Sequence, residues 1–495
     1  MTTQLSARHG HQLAWYSLVM IFIALLALVC SCCCKPDSGT LTGRVVLTND
    51  SGDPLLDPVD FAGVTIALYQ PAQLDTTLIR INSEYPQVGV VTGQDTDFDH
   101  RGSDPLYLAG SEPDGTFVLE GIDPGIYNVV FLCEGWGVDY LCEVEISDRA
   151  EVDLGSMELY PVPICNPAYL DSFTFKARHC YFVQDTVNML GNVVLEANSK
   201  ILMLPGASIK FWGGVSTPQT GGISSACRFI SGKNFYQTQA YDITPADHYS
   251  AVEFRSDNNV LRNVIFQHGS SSVVVSGLQN QISNVIIRNI GAGLIIQGGH
   301  SVVDHILVAN GSANGIQFNT VTPDQIEITN SVITKVEVAA SLYTAGTYTI
   351  ENSYFHNNNF AVKPDNCTGV ISHNAFELNA YDIYQYAVSI PTQINYNDFF
   401  HSTQWGILPR RAVVINYNNF FKTDRFYIWI RSPDSPPNYS LVQADVDATN
   451  NYWAVADVEQ YLMDGHNHDF PDQPCAYYVI YLPRRNSPVP NAGIQ

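Results

Sequence analysis

Positive charge is scarce in this chain: 24 Lys and Arg stand against 48 Asp and Glu in 495 residues, a formal net charge of −24. A surface of that sign repels polyanions unless a cation intervenes, which excludes nucleic acid as a partner. Charge of either sign is sparse, at 15%, and long Ala/Glu/Lys/Leu stretches are missing. With 35 Gly, 26 Pro, 27 Tyr and 23 Phe, the balance points to β structure with many turns. The cysteines show no zinc-site spacing. The one long apolar run, Leu18 to Val29, is short for a membrane span. What is present suffices for more than one domain and a large core, since 45% of the residues are hydrophobic.

The N-terminus reads as an address. Arg8 and His9 precede the apolar run, as in a secretory signal, and the run ends in Val29-Cys30-Ser31-Cys32. This ending resembles a bacterial lipoprotein signal. The resemblance implies removal of residues 1–31, lipidation of Cys32, a tether over 32–40 and an exported chain anchored to the cell envelope by lipid alone. A plain signal anchor is the alternative. An oxidising compartment makes disulfides plausible, and Cys133 with Cys142 and Cys165 with Cys180 are the expected pairs.

Residues 41–160 form the first domain. Gly43-Arg-Val-Val-Leu, Gly63-Val-Thr-Ile-Ala-Leu-Tyr and Gly125-Ile-Tyr-Asn-Val-Val-Phe alternate with period two between turn residues. Asp114-Gly115 is a tight-turn dipeptide followed by a strand on Phe117 and Leu119. The stretch from Asp114 to Tyr127 resembles the carboxypeptidase regulatory-like (prealbumin-like) family, which implies a small β-sandwich without a peptidase site. Thr76 to Gly110 looks like an insertion into that pattern.

Residues 165–455 carry a repeat. An aliphatic residue, a polar turn and a large apolar residue five positions on recur about every 21 residues. The first series is Leu261, Ile282, Val302, Ile328, Ile350, Ile371, Ile394 and Ile415; the second is Phe266, Ile287, Leu307, Ile333, Phe355, Phe376, Phe399 and Phe420. A further strand follows in most coils, with Val274, Leu294, Ile316, Val362, Ile383, Ile407 and Ile428 expected inside. One such coil cannot bury its apolar face alone, but coils stacked ~4.8 Å apart align like side chains into ladders. The fold class is therefore all-β: a right-handed parallel β-helix preceded by a small β-sandwich. Asn263, Asn284, Asp304, Asn330 and Asn352, then Asn374, Asn397 and Asn418 one place later, mark the turns. Asn450-Asn-Tyr-Trp453 and Tyr481-Leu-Pro resemble the ending of secreted pectate-lyase-like β-helix proteins, with Trp453 as a lid on the last coil and 456–495 as cap and tail.

That resemblance makes an enzyme worth testing against the residues. A polysaccharide lyase needs a base and often calcium held by carboxylates, and a glycosidase needs two carboxylates. The outward residues after the second ladder include His268, Asn289, Lys335, His356, Glu377, His401 and Lys422, with no carboxylate pair on neighbouring coils. Glu377 beside His356 and His401 is the one acid–base grouping. Asp95, Asp97 and Asp99 alternate as in calcium loops, so calcium is the cofactor to consider; the loop Asp464 to Asp472 is a weaker zinc or calcium candidate. Tyr384, Tyr386, Trp405, Tyr427 and Trp429 crowd the last coils, and outward aromatics of this kind stack sugar rings. The expectation is a non-catalytic, envelope-anchored surface lipoprotein whose β-helix binds polysaccharide or a surface protein. A carbohydrate-active enzyme, lyase or hydrolase, and a purely structural protein are the alternatives.

Overall fold

The computed structural model describes residues 38–271, 273–319, 325–343, 346–385, 392–410, 413–430, 442, 444–464 and 477–495. Cys32, Tyr386 and most of the acidic loop after Asp464 lie outside them. Among the described residues no helix is long and apolar enough to cross a membrane.

The first domain is two facing sheets. Strands β1 (Gly39–Leu47), β4 (Thr116–Ile122) and β7 (Glu151–Leu159) form one, with β1 central; β2 (Thr65–Tyr69), β3 (Tyr107–Gly110), β5 (Gly125–Cys133) and β6 (Gly137–Ile146) form the other, in the order β3-β2-β5-β6. Leu41, Val45, Ile66, Leu68, Phe117 and Phe131 fill the space between them. The Asp114-Gly115 turn is as the dipeptide predicts. Gly115 sits at φ +87, and a Cβ there would lie 2.1 Å from the carbonyl oxygen of Val45.

Along β2 and β5 burial does not alternate. Ala67, Tyr69, Val130 and Leu132, on the reverse side of the sheet, pack on Cys180, Leu202, Ile230 and Phe235 of the second domain. A strand buried on both faces loses its polar positions, which is why these runs read as nearly continuous apolar stretches.

The second domain is a right-handed parallel β-helix of about eleven turns. Its interior ladders are stacked rings where the repeat predicts phenylalanine. Phe355 to Phe376, Phe376 to Phe399, and Phe399 to Phe420 have centroids 5.2, 4.9 and 4.7 Å apart. Trp453 continues the stack 4.3 Å from Phe420. Parallel pairing goes on past it, through Leu462–Met463 and Val479–Ile480, so part of 456–495 completes another coil.

The register corrects three ladder positions. Ile282 pairs with Val303 and Ile287 with Val308, so these valines enter the core in place of Val302 and Leu307. Val273 and Val275 are inside, and Val274 points out. In the coil after Ile333, where the sequence pattern blurs, Ala340 occupies the ladder between Ile316 and Val362.

The asparagines divide into two roles. Asn263, Asn284, Asn330 and Asn352 adopt φ between 47 and 54, the left-handed conformation asparagine tolerates best. Asn374, Asn397 and Asn418 instead point inward and are fully buried. Each donates its amide to the carboxamide oxygen one coil on, ending at Asn451, at 3.0, 3.0 and 3.1 Å. A second amide hydrogen satisfies a carbonyl of the preceding coil, such as Asn397 to Ile371 at 2.8 Å. No polar atom of the ladder is stranded, which is what permits it in an apolar core.

Neither expected disulfide forms. Cys133 packs toward the sandwich interior while Cys142 lies on the opposite face of the same sheet. Cys165 is inside the β-helix and Cys180 on its outer side, against β6. Closeness in sequence was misleading because in each pair the two side chains face opposite ways; all six described cysteines are free thiols.

Candidate functional site

The insertion decides which parts of the β-helix are open. Ile265, Ile286, Leu307, Val332, Tyr354 and Ala375 are register partners on successive coils and form an outward apolar stripe. Helix α1 (Thr76–Glu84), capped by Asp75, lays Leu78 and Ile81 on that stripe, and Val88 and Val90 follow. At Gly89, φ is +69 and a Cβ would meet Val332 at 2.5 Å, so only glycine lets the loop approach this closely. Lys335 with Asp75 (2.6 Å), Arg288 with Asp97, and Arg80 with Glu377 tie the edges.

Glu377 and His356 do meet, at 3.8 Å, but beneath this cover. Glu377 accepts from Arg80 and from the Tyr354 hydroxyl (2.9 Å). Burial lowers the pKa of His356, which therefore stays neutral at pH 7, and its Nδ1 lies 3.2 Å from Thr334 Oγ1. His401 is the register partner of Glu377 on the next coil, as the repeat predicts, but its ring turns to Asp424 at 2.9 Å. The grouping serves as an interdomain contact, with Glu377 Oε2 already taken by Arg80 and Tyr354.

The aromatic crowding has a structural account as well. Phe360, Tyr381, Trp405 and Phe426 form an outward ladder on consecutive coils. Phe360 and Tyr381 are stacked at 4.6 Å and 14°. Trp405 lies against Trp429 at 4.3 Å, with Tyr384 and Phe426 alongside. Trp405 also meets Tyr381 edge-on at 4.9 Å and 66°, so these rings pack on one another while Tyr384 and Trp405 stay half-buried. Tyr427 is corrected outright: it is 1% exposed, inside the coil against Phe420 and Trp453. Trp429 is 8% exposed.

The three alternating aspartates part company. Asp95 lies beside the Cys142 thiol and raises its pKa, Asp97 holds Arg288, and Asp99 is gripped by Arg101 through Nε (2.9 Å) and Nη2 (2.7 Å). They converge on no common point. Among the described residues no group of three His, Cys, Asp or Glu side chains could hold a metal ion.

Open ground remains in a cleft of about 1010 Å³ that sequence reading missed. Its floor is one turn of successive coils, with His268, Asn289 and Asn310 all in the left-handed conformation. Asn310 donates to Asn289 at 3.3 Å, and Ser270 and Ser312 stand beside them. Its wall is Asp99, Arg101 and Tyr241, and Arg101 is further fixed by the carbonyls of Ser231 (2.7 Å) and Lys233 (2.9 Å). Tyr241 donates its hydroxyl to Asp247 at 3.0 Å.

His268 is 8% exposed, its Nδ1 has no partner, and burial pushes its pKa down to about 4. The floor is therefore polar but uncharged at pH 7, made of amides, hydroxyls and a neutral imidazole. The outward list contained His268 and Asn289, but only the fold shows a wall facing them. No family model and no curated protein matches the chain.

Proposed function

We propose that the protein is a non-catalytic binding protein held at a cell envelope through lipidated Cys32, with the sandwich as spacer and the β-helix as the part that binds. The cleft over His268, Asn289 and Asn310 carries this reading, and its chemistry selects a neutral glycan. Amides and hydroxyls repeated on successive coils suit the repeating hydroxyls of a sugar chain, and they suit them better than they suit a charged ligand. Of the two acids that line the cleft, Asp99 is already bound by Arg101 and Asp242 is exposed to solvent. The acid–base pair elsewhere, Glu377 with His356, lies under the insertion.

Glycan-array binding by the purified protein, with unsaturated-product and reducing-end assays in parallel, tests the proposal. The expected result is array binding without turnover, weakened roughly tenfold when Asn289→Ala and Asn310→Ala are combined, and unchanged by Trp405→Ala. Turnover of any polysaccharide establishes the enzyme reading instead, and a blank array establishes the structural one.

A further inference from the structure

A second cavity, of about 510 Å³, opens between β6, the insertion and the first coils. Its charges come from residues far apart in sequence. Asp95 and Asp139 stand against Arg178, Lys200 and Arg228, two acids to three bases, inside a chain whose net charge is −24.

Asp139 is spoken for, taking Arg178 Nη2 at 2.7 Å and Lys200 Nζ at 3.1 Å, while Asp95 lies close enough to the Cys142 thiol to raise its pKa. Lys200 and Arg228 are direct register partners on neighbouring parallel strands, so two cations project side by side into the same space. Among the described residues Arg228 forms no ion pair within 4.0 Å. Burial, with Arg288 nearby, lowers its pKa, and the charge of Asp95 beside it does not offset that loss of water. A guanidinium partly removed from water is stabilised by a bidentate oxyanion more than by any neutral group. Asn198, Ser224 and Ser225 line the same cavity and add neutral hydrogen-bonding groups.

We infer that this cavity binds a small ligand through a carboxylate or phosphate group, with Arg228 and Lys200 as the residues that grip it. The site is separate from the cleft over His268 and independent of what that cleft binds.

Thermal-shift and calorimetric titrations of the purified protein at constant ionic strength, with inorganic phosphate, D-galacturonate and neutral D-galactose, test it. A saturable rise in Tm with phosphate, galacturonate or both, and none with galactose, is expected; the pair of anions tells the two sources of the oxyanion apart. Arg228→Gln should weaken the bound anion by roughly tenfold or more. The same variant should raise the Tm of the ligand-free protein, because it removes the uncompensated cation. Asp95→Asn, which leaves Arg228 in place and takes away a competing negative charge, should tighten binding several-fold. Absence of a saturable shift with either anion overturns the inference, as does an undiminished shift in Arg228→Gln or weaker binding in Asp95→Asn.

Discussion

Two stretches of the β-helix's outer surface solve one problem differently. From Ile265 to Ala375 the outward ladder is aliphatic and lies beneath the insertion. From Phe360 to Phe426 the outward ladder is aromatic, and each ring packs face-on or edge-on against another ring. An apolar outward row on a solenoid needs either a lid or a side chain large enough to shield its neighbour. The contrast shows that outward hydrophobicity alone does not identify a binding face.

Substitutions sharpen that contrast, set against the interior as a reference. Phe376→Ala empties a slot between two stacked rings and should destabilise by about 3–5 kcal/mol in urea unfolding. Ile286→Asp places an unpaired carboxylate under the insertion and should lose about 3 kcal/mol, with new protease cleavage between Glu84 and Gly93. Tyr381→Ala, in the aromatic row, should lose only about 1 kcal/mol and leave that segment protected. If the two outward substitutions prove equal, the distinction between lidded and self-covering rows is wrong.

Asp382 bears on the aromatic half from within. It is fully buried, bonded to Ser402 and Asn379, and burial raises its pKa to about 8. The unfolded chain ionises this group near 3.8, whereas the folded chain does so only near 8. Its contribution is thus complete below the lower value, declines as pH rises between the two, and levels off above the higher. Asp382→Asn keeps both hydrogen bonds without the titration. It should match the parent at pH 4 and exceed it by a few kcal/mol at pH 8 in paired unfolding curves. Lys335→Ala, at the partly exposed rim of the insertion, should cost less than about 1 kcal/mol, and the difference should fade in high salt.

The repeat was legible because an interior ladder imposes the same residue class every coil. Reading failed where a second surface imposed apolarity too. Leu307 and Val308 are adjacent and both buried, one under the insertion and one inside, so neither stands out as the core position. The insertion itself was recognised, but its destination rests on contacts such as Asp75 to Lys335, 260 residues apart. The cleft and the basic cavity were illegible for the same reason. His268 and Arg101, or Asp139 and the register pair Lys200 and Arg228, come together only through the docking of the two domains. Glu377 and His356 were correctly placed side by side; what sequence lacked was Arg80 above them.

The position of β1 has a mechanical consequence. It is the first described strand, and it lies between β4 and β7, hydrogen-bonded on both edges along most of its length. Tension applied through the preceding residues runs along this strand, so its cross-strand bonds are loaded in shear and must fail together, where an edge strand would peel one bond at a time. The small domain is thereby suited to transmit force to the β-helix while staying folded, and an optical-trap experiment pulling from residue 38 would measure how much.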